Sequence, residues 1–372
     1  MLLYIHIPFC ASKCGYCAFT SFIGEESHFE SYVEALCVDL AYTLSIQNYH
    51  LDSIFIGGGT PNLLASKFYK KIFALLAKYA HIDKDCEISI EANVNILNTQ
   101  WCKDLCALGA NRLSVGVQSF YEPKLAFLER DHSTKDIFYH IQSAYNAGFT
   151  NLSCDMIITP LDNQEILESE LTQAMNLPIN HISVYALSID EGSRFASQEV
   201  MNNKVYESSK DETLSFFARD ILKNAGFMQY EVSNYVRNGT NAECRHNLGY
   251  WQGKEYLGCG AAAVGRIGDT RMKAYPQLKG YIASPTQRFI ESLSQRDMCL
   301  ERIMLGLRCK SGARICDIEQ LFAKRHFMQE CVKNLLEGNK CYIRKERGEE
   351  FLVANELFLA DEIVLWLLSR EQ

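Results

Sequence analysis

The chain has 372 residues, a net charge of −8 and 48% hydrophobic residues. This length predicts one large domain plus a smaller one, and the composition is ample for a hydrophobic core. The acidic balance excludes broad nucleic-acid affinity and a polybasic membrane-surface patch, because both need clustered positive charge. The sequence contains no uncharged apolar stretch of about 18 residues, so we expect no transmembrane helix.

The fifteen cysteines bear on the cellular compartment. They form no regular framework, and the chain enters its first apolar run without a basic n-region, so we expect no signal peptide. A reducing cytoplasm, where most thiols are free and buried, is the setting that fits. The expected location is therefore cytoplasmic, with transient membrane association only through partners.

Short β-branched runs alternate with helical patterns along the first half of the chain. The predicted strands are Leu2–Ile7, Ser53–Ile56, Glu87–Glu91, Arg112–Val117, Asn151–Ile158 and His181–Leu187. The predicted helices are His28–Ser45, Lys67–Tyr79, Thr99–Leu108, Thr134–Asn146 and Gln164–Met175. Such alternation predicts parallel βαβ units, and six units predict an α/β fold with an open, partial (β/α)6 barrel.

The first predicted strand leads into a loop with three thiols. Cys10, Cys14 and Cys17 have the spacing C-x3-C-x2-C, so a single loop can wrap them around one compact metal centre. A [4Fe–4S] cluster normally takes four thiolates, and three would leave one iron open to a ligand that is not protein. The alternatives are buried thiols or a zinc site, but zinc would want a fourth Cys or His, and residues 18–27 contain neither.

Polar or flexible residues also lie at the ends of later strands, where a β/α barrel builds its active site. Gly57–Gly59 either let the backbone approach a ligand or make a tight turn into the next helix. Glu91, Gln118 and Arg130 offer groups for an ammonium, ribose hydroxyls and a carboxylate. Asp155 lies in an otherwise apolar strand, a costly placement unless a ligand or partner satisfies it. The alternative is an ion pair between Arg130 and Asp155.

Four motifs together resemble the oxygen-independent coproporphyrinogen III oxidase superfamily of radical S-adenosylmethionine (SAM) proteins. They are Tyr4–Cys10, Gly57–Pro61, Gly116–Phe120 and His246–Trp251, in the family's order. The resemblance implies that SAM chelates the open iron and that an electron from the cluster can cleave it to a 5′-deoxyadenosyl radical. It implies that SAM is lined by Tyr4, Gly58, Gly59, Thr60, Glu91, Gln118, Arg130 and Asp155, with Tyr16 near the adenine.

Within this superfamily the closer resemblance is to a heme-chaperone branch. The oxidases carry a cysteine where Phe19 stands and a long arm before the first strand, whereas here only Met1 precedes that strand. The resemblance implies a protein that binds a [4Fe–4S] cluster, SAM and heme and delivers heme to acceptor proteins, including respiratory-chain proteins at the membrane. The alternative is radical decarboxylation of coproporphyrinogen III, so the sequence leaves open whether the chain is an enzyme and whether it forms a homodimer. Radical modification of RNA is a third reading, which the acidic charge disfavours.

His246 is the predicted heme ligand of this branch. A neutral imidazole is a common axial ligand of heme iron, and Tyr250 and Trp251 could pack against a porphyrin face. The alternatives are a structural loop in which the histidine satisfies backbone groups, and Cys244 as a rival ligand.

From about Pro285 the pattern changes to short helices followed by a hairpin. The predicted elements are helices Gln287–Leu293, Leu300–Arg308, Ile315–Ala323 and Met328–Leu336, strands Cys341–Arg344 and Phe351–Val353, and helix Asp361–Leu368. Helices followed by a two-stranded wing resemble a winged-helix module. We therefore predict three domains. The barrel covers residues 1–225, an extension that carries the His246 motif covers residues 226–284, and a C-terminal helical, winged-helix-like domain covers residues 285–372. The hairpin mixes basic and acidic residues, which favours binding a partner or covering the cluster over binding DNA.

Overall fold

Six parallel strands form the centre of a large open sheet. The computed structural model describes residues 1–197, 208–322 and 325–370. The central strands are β1 (Leu2–Ile7), β2 (Tyr49–Gly58), β3 (Ala80–Asn93), β4 (Arg112–Gln118), β5 (Asn151–Ile158) and β6 (His181–Ala186). Each pairs in parallel with the next, so the predicted βα units are confirmed.

Helices between these strands bury apolar side chains against one side of the sheet. They are α1 (Phe29–Ser45), α2 (Ser66–Tyr79), α3 (Thr99–Leu108), α4 (Glu122–Phe127), α5 (Ile137–Ala147) and α6 (Gln164–Met175). Leu3, Ile5 and Ile7 of β1 belong to one core cluster with Leu40 of α1 and Ile72 of α2. Because side chains alternate along a strand, the residues between these apolar positions face the inside of the barrel.

Further strands extend the sheet beyond both edges of the six. They are β7 (Phe227–Gln229), β8 (Asn234–Arg237), β9 (Tyr256–Cys259), β10 (Val264–Ile267), β11 (Thr270–Ala274) and β12 (Arg288–Ser292). The described strands lie in the order β12-β11-β10-β9-β1-β2-β3-β4-β5-β6-β8-β7. The helix predicted over Gln287–Leu293 is wrong, because this segment forms β12 and pairs antiparallel with β11.

Within the described residues, the helices that accompany these strands are α7 (Ser208–Asn224), α8 (Arg245–Trp251) and α9 (Leu278–Ala283). The segment predicted as an extension therefore continues the barrel sheet on both edges, since β9 pairs parallel with β1 and β8 antiparallel with β6. Among the described residues, no helix is both long and apolar enough to cross a membrane.

The C-terminal part has its own core and its own small sheet. Its elements are α10 (Gln295–Leu307), β13 (Ala313–Arg314), α11 (Ile315–Leu321), α12 (Arg325–Glu337), β14 (Cys341–Glu346), β15 (Glu349–Ala354) and α13 (Ala360–Leu368). The strand order β13-β15-β14 includes the predicted hairpin. Ala323, the predicted end of one helix, lies outside the described residues. The domain boundaries and the winged-helix assignment remain predictions.

Candidate cluster and cofactor site

The three motif cysteines lie on a loop that leaves the end of β1. The loop is closed by backbone hydrogen bonds from Phe22 N–H to Pro8 O (2.6 Å) and from Cys10 N–H to Phe22 O (3.1 Å). Cys10 is buried, whereas Cys14 and Cys17 are half-buried. All three line one cavity of about 540 Å³. A single loop thus presents three sulfurs to one space at the carboxyl end of the sheet.

The spread of the three motif sulfurs tests which metal centre they fit. Among the described residues, the group of three or more His, Cys, Asp or Glu with ligand atoms all within 4.8 Å of one another is His50, His81 and Asp83. Cys10, Cys14 and Cys17 do not form such a group, so at least one pair of their sulfurs lies more than 4.8 Å apart. A tetrahedral zinc holds its sulfurs only about 3.8 Å apart, whereas the thiolates of a [4Fe–4S] cluster bind different irons. The donor set fits the cluster better than zinc.

The turn after β2 brings backbone against the cysteine loop. Gly58 has a φ of 118°, and a Cβ there would lie 2.5 Å from the ring of His6. At Gly59 a Cβ would lie 3.0 Å from Cys10 Sγ. The Thr60 hydroxyl donates to the same sulfur at 3.5 Å. Gly58, Gly59 and Thr60 therefore border the cysteine cavity, and their predicted contact with SAM remains a prediction.

Two carboxylates, Glu91 and Asp155, face this cavity from the strands. Gly58 N–H donates to Glu91 Oε2 at 3.1 Å. Burial raises the pKa of Glu91 to about 7, the Gly58 hydrogen bond opposes this shift, and the charge of Asp155 adds to it. Burial also raises the pKa of Asp155, which accepts hydrogen bonds from the hydroxyls of Ser114, Ser153 and Ser183. A cationic ligand group would favour the ionised form of both carboxylates.

Arg130 lies between the cysteine loop and the ends of β3 and β4. Its Nη1 donates to Cys14 Sγ at 3.4 Å, and its Nη2 donates to Asn93 Oδ1 at 2.9 Å and to Gly116 O at 2.8 Å. Its Nε is buried without a hydrogen-bond partner in the described part of the chain. The alternative of an ion pair between Arg130 and Asp155 is not formed, because Asp155 is satisfied by serines instead.

Gln118 ends β4 in a conformation that only the structure could show. Its φ is 66°, in the left-handed region, and the β4–β5 register shifts between Gly116 and Gln118. Such backbone strain in a residue other than glycine clusters at functional sites. The Gln118 side chain lines the cysteine cavity, as does Tyr16, whose ring also packs with Ile157 and Leu187.

A second cavity, of about 710 Å³, adjoins the first inside the barrel. The two share the lining residues Ala18, Phe19, Gly58, Glu91, Ser114, Asp155 and Tyr185. Tyr4, predicted to line SAM, lines this second cavity, and its hydroxyl is 2.9 Å from His6 Nδ1. A ligand at the cysteine loop and a larger ligand in the barrel would therefore share a wall.

His246 lies on α8 and lines the second cavity. Its Nδ1 is 2.9 Å from Ser53 Oγ, and its Nε2 is 3.0 Å from the Tyr250 hydroxyl. Burial, assisted by the charge of Arg112, lowers the pKa of His246 to about 3, so the imidazole is neutral at pH 7. Each ring nitrogen already has a partner, so iron ligation at Nε2 requires an exchange with Tyr250.

Sequence reasoning missed Glu87, which anchors α8. Its carboxylate accepts the N–H groups of Arg245 at 2.9 Å and His246 at 3.2 Å, and the Cys244 thiol at 3.6 Å. The alternation Glu87-Ile88-Ser89-Ile90-Glu91 was the available signal, since it puts Glu87 on the same strand face as Glu91. Cys244, the rival heme ligand, is buried against Glu87 and is not a lining residue of either cavity.

We expect Arg130→Ala to lower SAM affinity about ten- to a hundredfold, because a hydrogen bond to a charged group contributes ~1.5–3 kcal/mol. Iron content should stay unchanged, since all three thiolates remain. Titration calorimetry and iron analysis of reconstituted protein measure both. Arg194→Ala is the matched control, because Arg194 donates to Lys13 O of the same loop but does not line the cavity. Unchanged SAM affinity together with a large loss of thermal stability would show that Arg130 stabilises the fold and does not bind SAM.

Comparison with known proteins agrees with this architecture. The sequence model of the Radical SAM superfamily matches residues 4–170. "Heme chaperone HemW" of Lactococcus lactis is 30% identical over 97% of this chain and 97% of the relative, and that of Buchnera aphidicola from Acyrthosiphon pisum is 31% identical over 94% and 96%. The structure of HemN, the coproporphyrinogen III oxidase of Escherichia coli and a radical SAM enzyme, matches with a TM-score of 0.81 and 22% identity over 98% of this chain and 89% of that one. The predicted radical SAM barrel is confirmed, and the chain belongs to the HemW family of the radical SAM superfamily.

Proposed function

We propose that this chain is a heme chaperone that binds a [4Fe–4S] cluster, SAM and heme and passes heme to acceptor proteins, including respiratory-chain proteins at the membrane. The name of its relatives, "Heme chaperone HemW", supports the proposal that the chain binds and transfers heme. The observation that carries the proposal is the cavity of about 710 Å³ that shares a wall with the cysteine cavity. It offers room for a large planar ligand beside the cluster and SAM.

Cys10, Cys14 and Cys17 would hold the cluster, which supplies an electron and an open iron when bound. The chain's own residues would position SAM. Glu91 would meet its ammonium group, and the buried Nε of Arg130 would serve its carboxylate.

The lining of the second cavity suits a flat macrocycle with carboxylates. Phe55, Tyr250 and Tyr256 supply aromatic surface, while Lys254 and Arg266 are among the basic residues that line it. Aromatic rings pack against porphyrin faces, and basic side chains can pair with propionates. This combination supports heme more than a small polar substrate.

His246 would ligate the heme iron by exchanging one hydrogen bond. Tyr250, the partner of Nε2, lines the same cavity and would have to turn away, whereas the Nδ1 contact with Ser53 would keep the ring oriented. Because the pKa of His246 is lowered to about 3, the Nε2 lone pair stays available well below neutral pH.

We expect His246→Gln to shift the heme Soret band and weaken heme binding by about tenfold or more. His181→Gln is a matched control, because His181 is also buried between a serine and a tyrosine, Ser153 and Tyr230, at 2.7 Å each, but lines neither cavity. The wild-type Soret band should stay in place from pH 8 to about pH 5, because both the lowered pKa of His246 and iron ligation keep the imidazole unprotonated at the bound nitrogen. An identical spectrum for His246→Gln would reject this ligand.

The alternative is the oxidase reaction, which the fold shared with HemN and the adjoining cavities favour. Phe19, where the oxidases carry a cysteine, lines both cavities and is 69% exposed, and a phenyl ring cannot replace a thiol. We therefore expect anaerobic incubation of the same sample with SAM, reductant and coproporphyrinogen III to yield no protoporphyrinogen. Catalytic formation of that product would overturn the chaperone proposal.

A further inference from the structure

A cluster of two imidazoles and one carboxylate lies at the opposite end of the sheet from the cysteine loop. His50 of β2 and His81 of β3 are direct register partners, and Asp83 follows two residues further along β3. Because side chains alternate along a strand, His81 and Asp83 share a face. The rings of His50 and His81 have centroids 4.9 Å apart. The spacing of this cluster is therefore set by two paired strands.

The distance from the cysteine loop makes this cluster an independent feature. His50 is the second residue of β2, and Gly58, which borders the cysteine cavity, is its last. Eight residues of extended strand span about 26 Å. Neither His50 nor His81 lines the cysteine cavity or the second cavity inside the barrel.

The ligand atoms have the spacing of neighbouring ligands around one metal ion. Asp83 Oδ2 is 2.8 Å from His50 Nε2, and Asp83 Oδ1 is 3.0 Å from His81 Nε2. All three residues offer ligand atoms within 4.8 Å of one another. At bond lengths of about 2.1 Å, neighbouring ligands lie about 3.0 Å apart in octahedral and about 3.4 Å apart in tetrahedral geometry. Two imidazoles and a carboxylate favour zinc, nickel or cobalt over magnesium or calcium.

The surroundings leave room for water ligands. His50 and Asp83 line a surface cavity of about 320 Å³, together with Asp52, Asp85, Cys86, Arg245, Lys254 and other residues. Asp52 Oδ1 is 4.0 Å from His50 Nδ1, on the side of the ring away from Asp83. Of the nearby cations, Arg245 donates through Nη1 to Asp85 O at 2.7 Å, and the Met1 ammonium pairs with Asp52 Oδ2 at 2.7 Å. The competing account is a plain surface network in which Asp83 accepts hydrogen bonds from both imidazoles.

We propose that His50, His81 and Asp83 bind one divalent transition-metal ion of the zinc class, with water in the remaining positions. The ion is held by protein atoms of β2 and β3 alone and is distinct from the iron of the cysteine loop. This site is independent of the proposed heme function.

The test is anaerobic equilibrium dialysis of the full-length, cluster-loaded protein against Zn²⁺, with zinc and iron counted by elemental analysis. Loading the cluster first keeps the motif thiolates from capturing zinc. We expect one zinc per chain with unchanged iron, and a loss of zinc affinity of about tenfold or more in both His81→Gln and Asp83→Asn. Zinc should also raise the thermal midpoint of the wild type and not that of these variants.

His28→Gln is the matched control. His28 Nδ1 lies 2.9 Å from Glu25 Oε2, and in the part of the chain that the structure describes this surface pair belongs to no group of three candidate ligands. This variant should keep the zinc. Equal zinc binding by the wild type and by the double variant His81→Gln/Asp83→Asn would overturn the proposal, as would equal loss of zinc in His28→Gln.

Discussion

Cys14→Ser will lose the [4Fe–4S] cluster on anaerobic reconstitution. The loop supplies three thiolates, one per iron, and a serine hydroxyl at one position cannot replace a thiolate for iron. Arg130 Nη1 also donates to Cys14 Sγ at 3.4 Å, a contact that the substitution changes as well. The wild type should hold four irons per chain and show a reduced-cluster EPR signal that changes when SAM is added. In Cys14→Ser both the iron and the signal should be absent.

Cys102→Ser and Cys106→Ser are the controls for that loss. Both cysteines lie on α3, one turn apart, and Cys102 is completely buried. Burial raises the pKa of Cys102 to about 12, so this thiol stays protonated and does not compete for iron. Both variants should therefore keep the full iron content. A full cluster in Cys14→Ser would reject the assignment of the motif cysteines.

The fold was predictable where hydrophobic periodicity is strong. The predicted bounds of β1 and β5 are confirmed to the residue, because apolar residues dominate both runs and a proline, Pro8 or Pro160, follows closely after each. β2 and β3 begin earlier than predicted, at Tyr49 and Ala80, because their first residues alternate with exposed His and Asp and show no apolar run. β12 was predicted as a helix because local pattern alone cannot reveal its pairing with β11.

The candidate site was predictable where short motifs carry it. The cysteine loop, the glycine turn, Glu91, Arg130 and Asp155 all border one cavity, as the strand-end argument led us to expect. The contacts between distant segments were not predictable, because no local pattern records them. Ser53 and His246, for example, are 193 residues apart in sequence yet hydrogen-bonded. The sequence also left open an ion pair of Arg130 with Asp155, which three serines replace.

Glu91→Gln will raise thermal stability at pH 8 and weaken SAM binding. The pKa of Glu91 is raised to about 7 in the folded protein, mainly by burial, from an ordinary value near 4.5. The folded state therefore binds more protons than the unfolded state between pH 4.5 and pH 7. The contribution of Glu91 to the free energy of unfolding is therefore fully present below pH 4.5 and is lost as the pH rises through 7. Since 2.5 pKa units correspond to at most about 3 kcal/mol, the ionised wild type is destabilised by up to that amount at pH 8.

Glutamine removes this pH-dependent loss without removing the local hydrogen bond. Its carbonyl oxygen can still accept Gly58 N–H, which is 3.1 Å from Oε2 in the wild type. The difference in thermal midpoint between variant and wild type should thus grow from pH 5 to pH 8. SAM affinity should fall about ten- to a hundredfold, because the neutral amide cannot pair with the ligand's ammonium. Thermal melts across this pH range and SAM calorimetry measure the two effects.

Glu231→Gln is the control that separates the effect of a buried charge on stability from the effect of Glu91 on SAM binding. Burial raises the pKa of Glu231 to about 7 as well, but this residue lines neither the cysteine cavity nor the second cavity inside the barrel. Its variant should gain stability at pH 8 with unchanged SAM affinity. If Glu91→Gln also leaves SAM affinity unchanged, Glu91 is not a SAM ligand. If Glu91→Gln weakens SAM binding while Glu231→Gln does not, the loss of affinity comes from the Glu91 carboxylate at the ligand and not from a general change in buried charge.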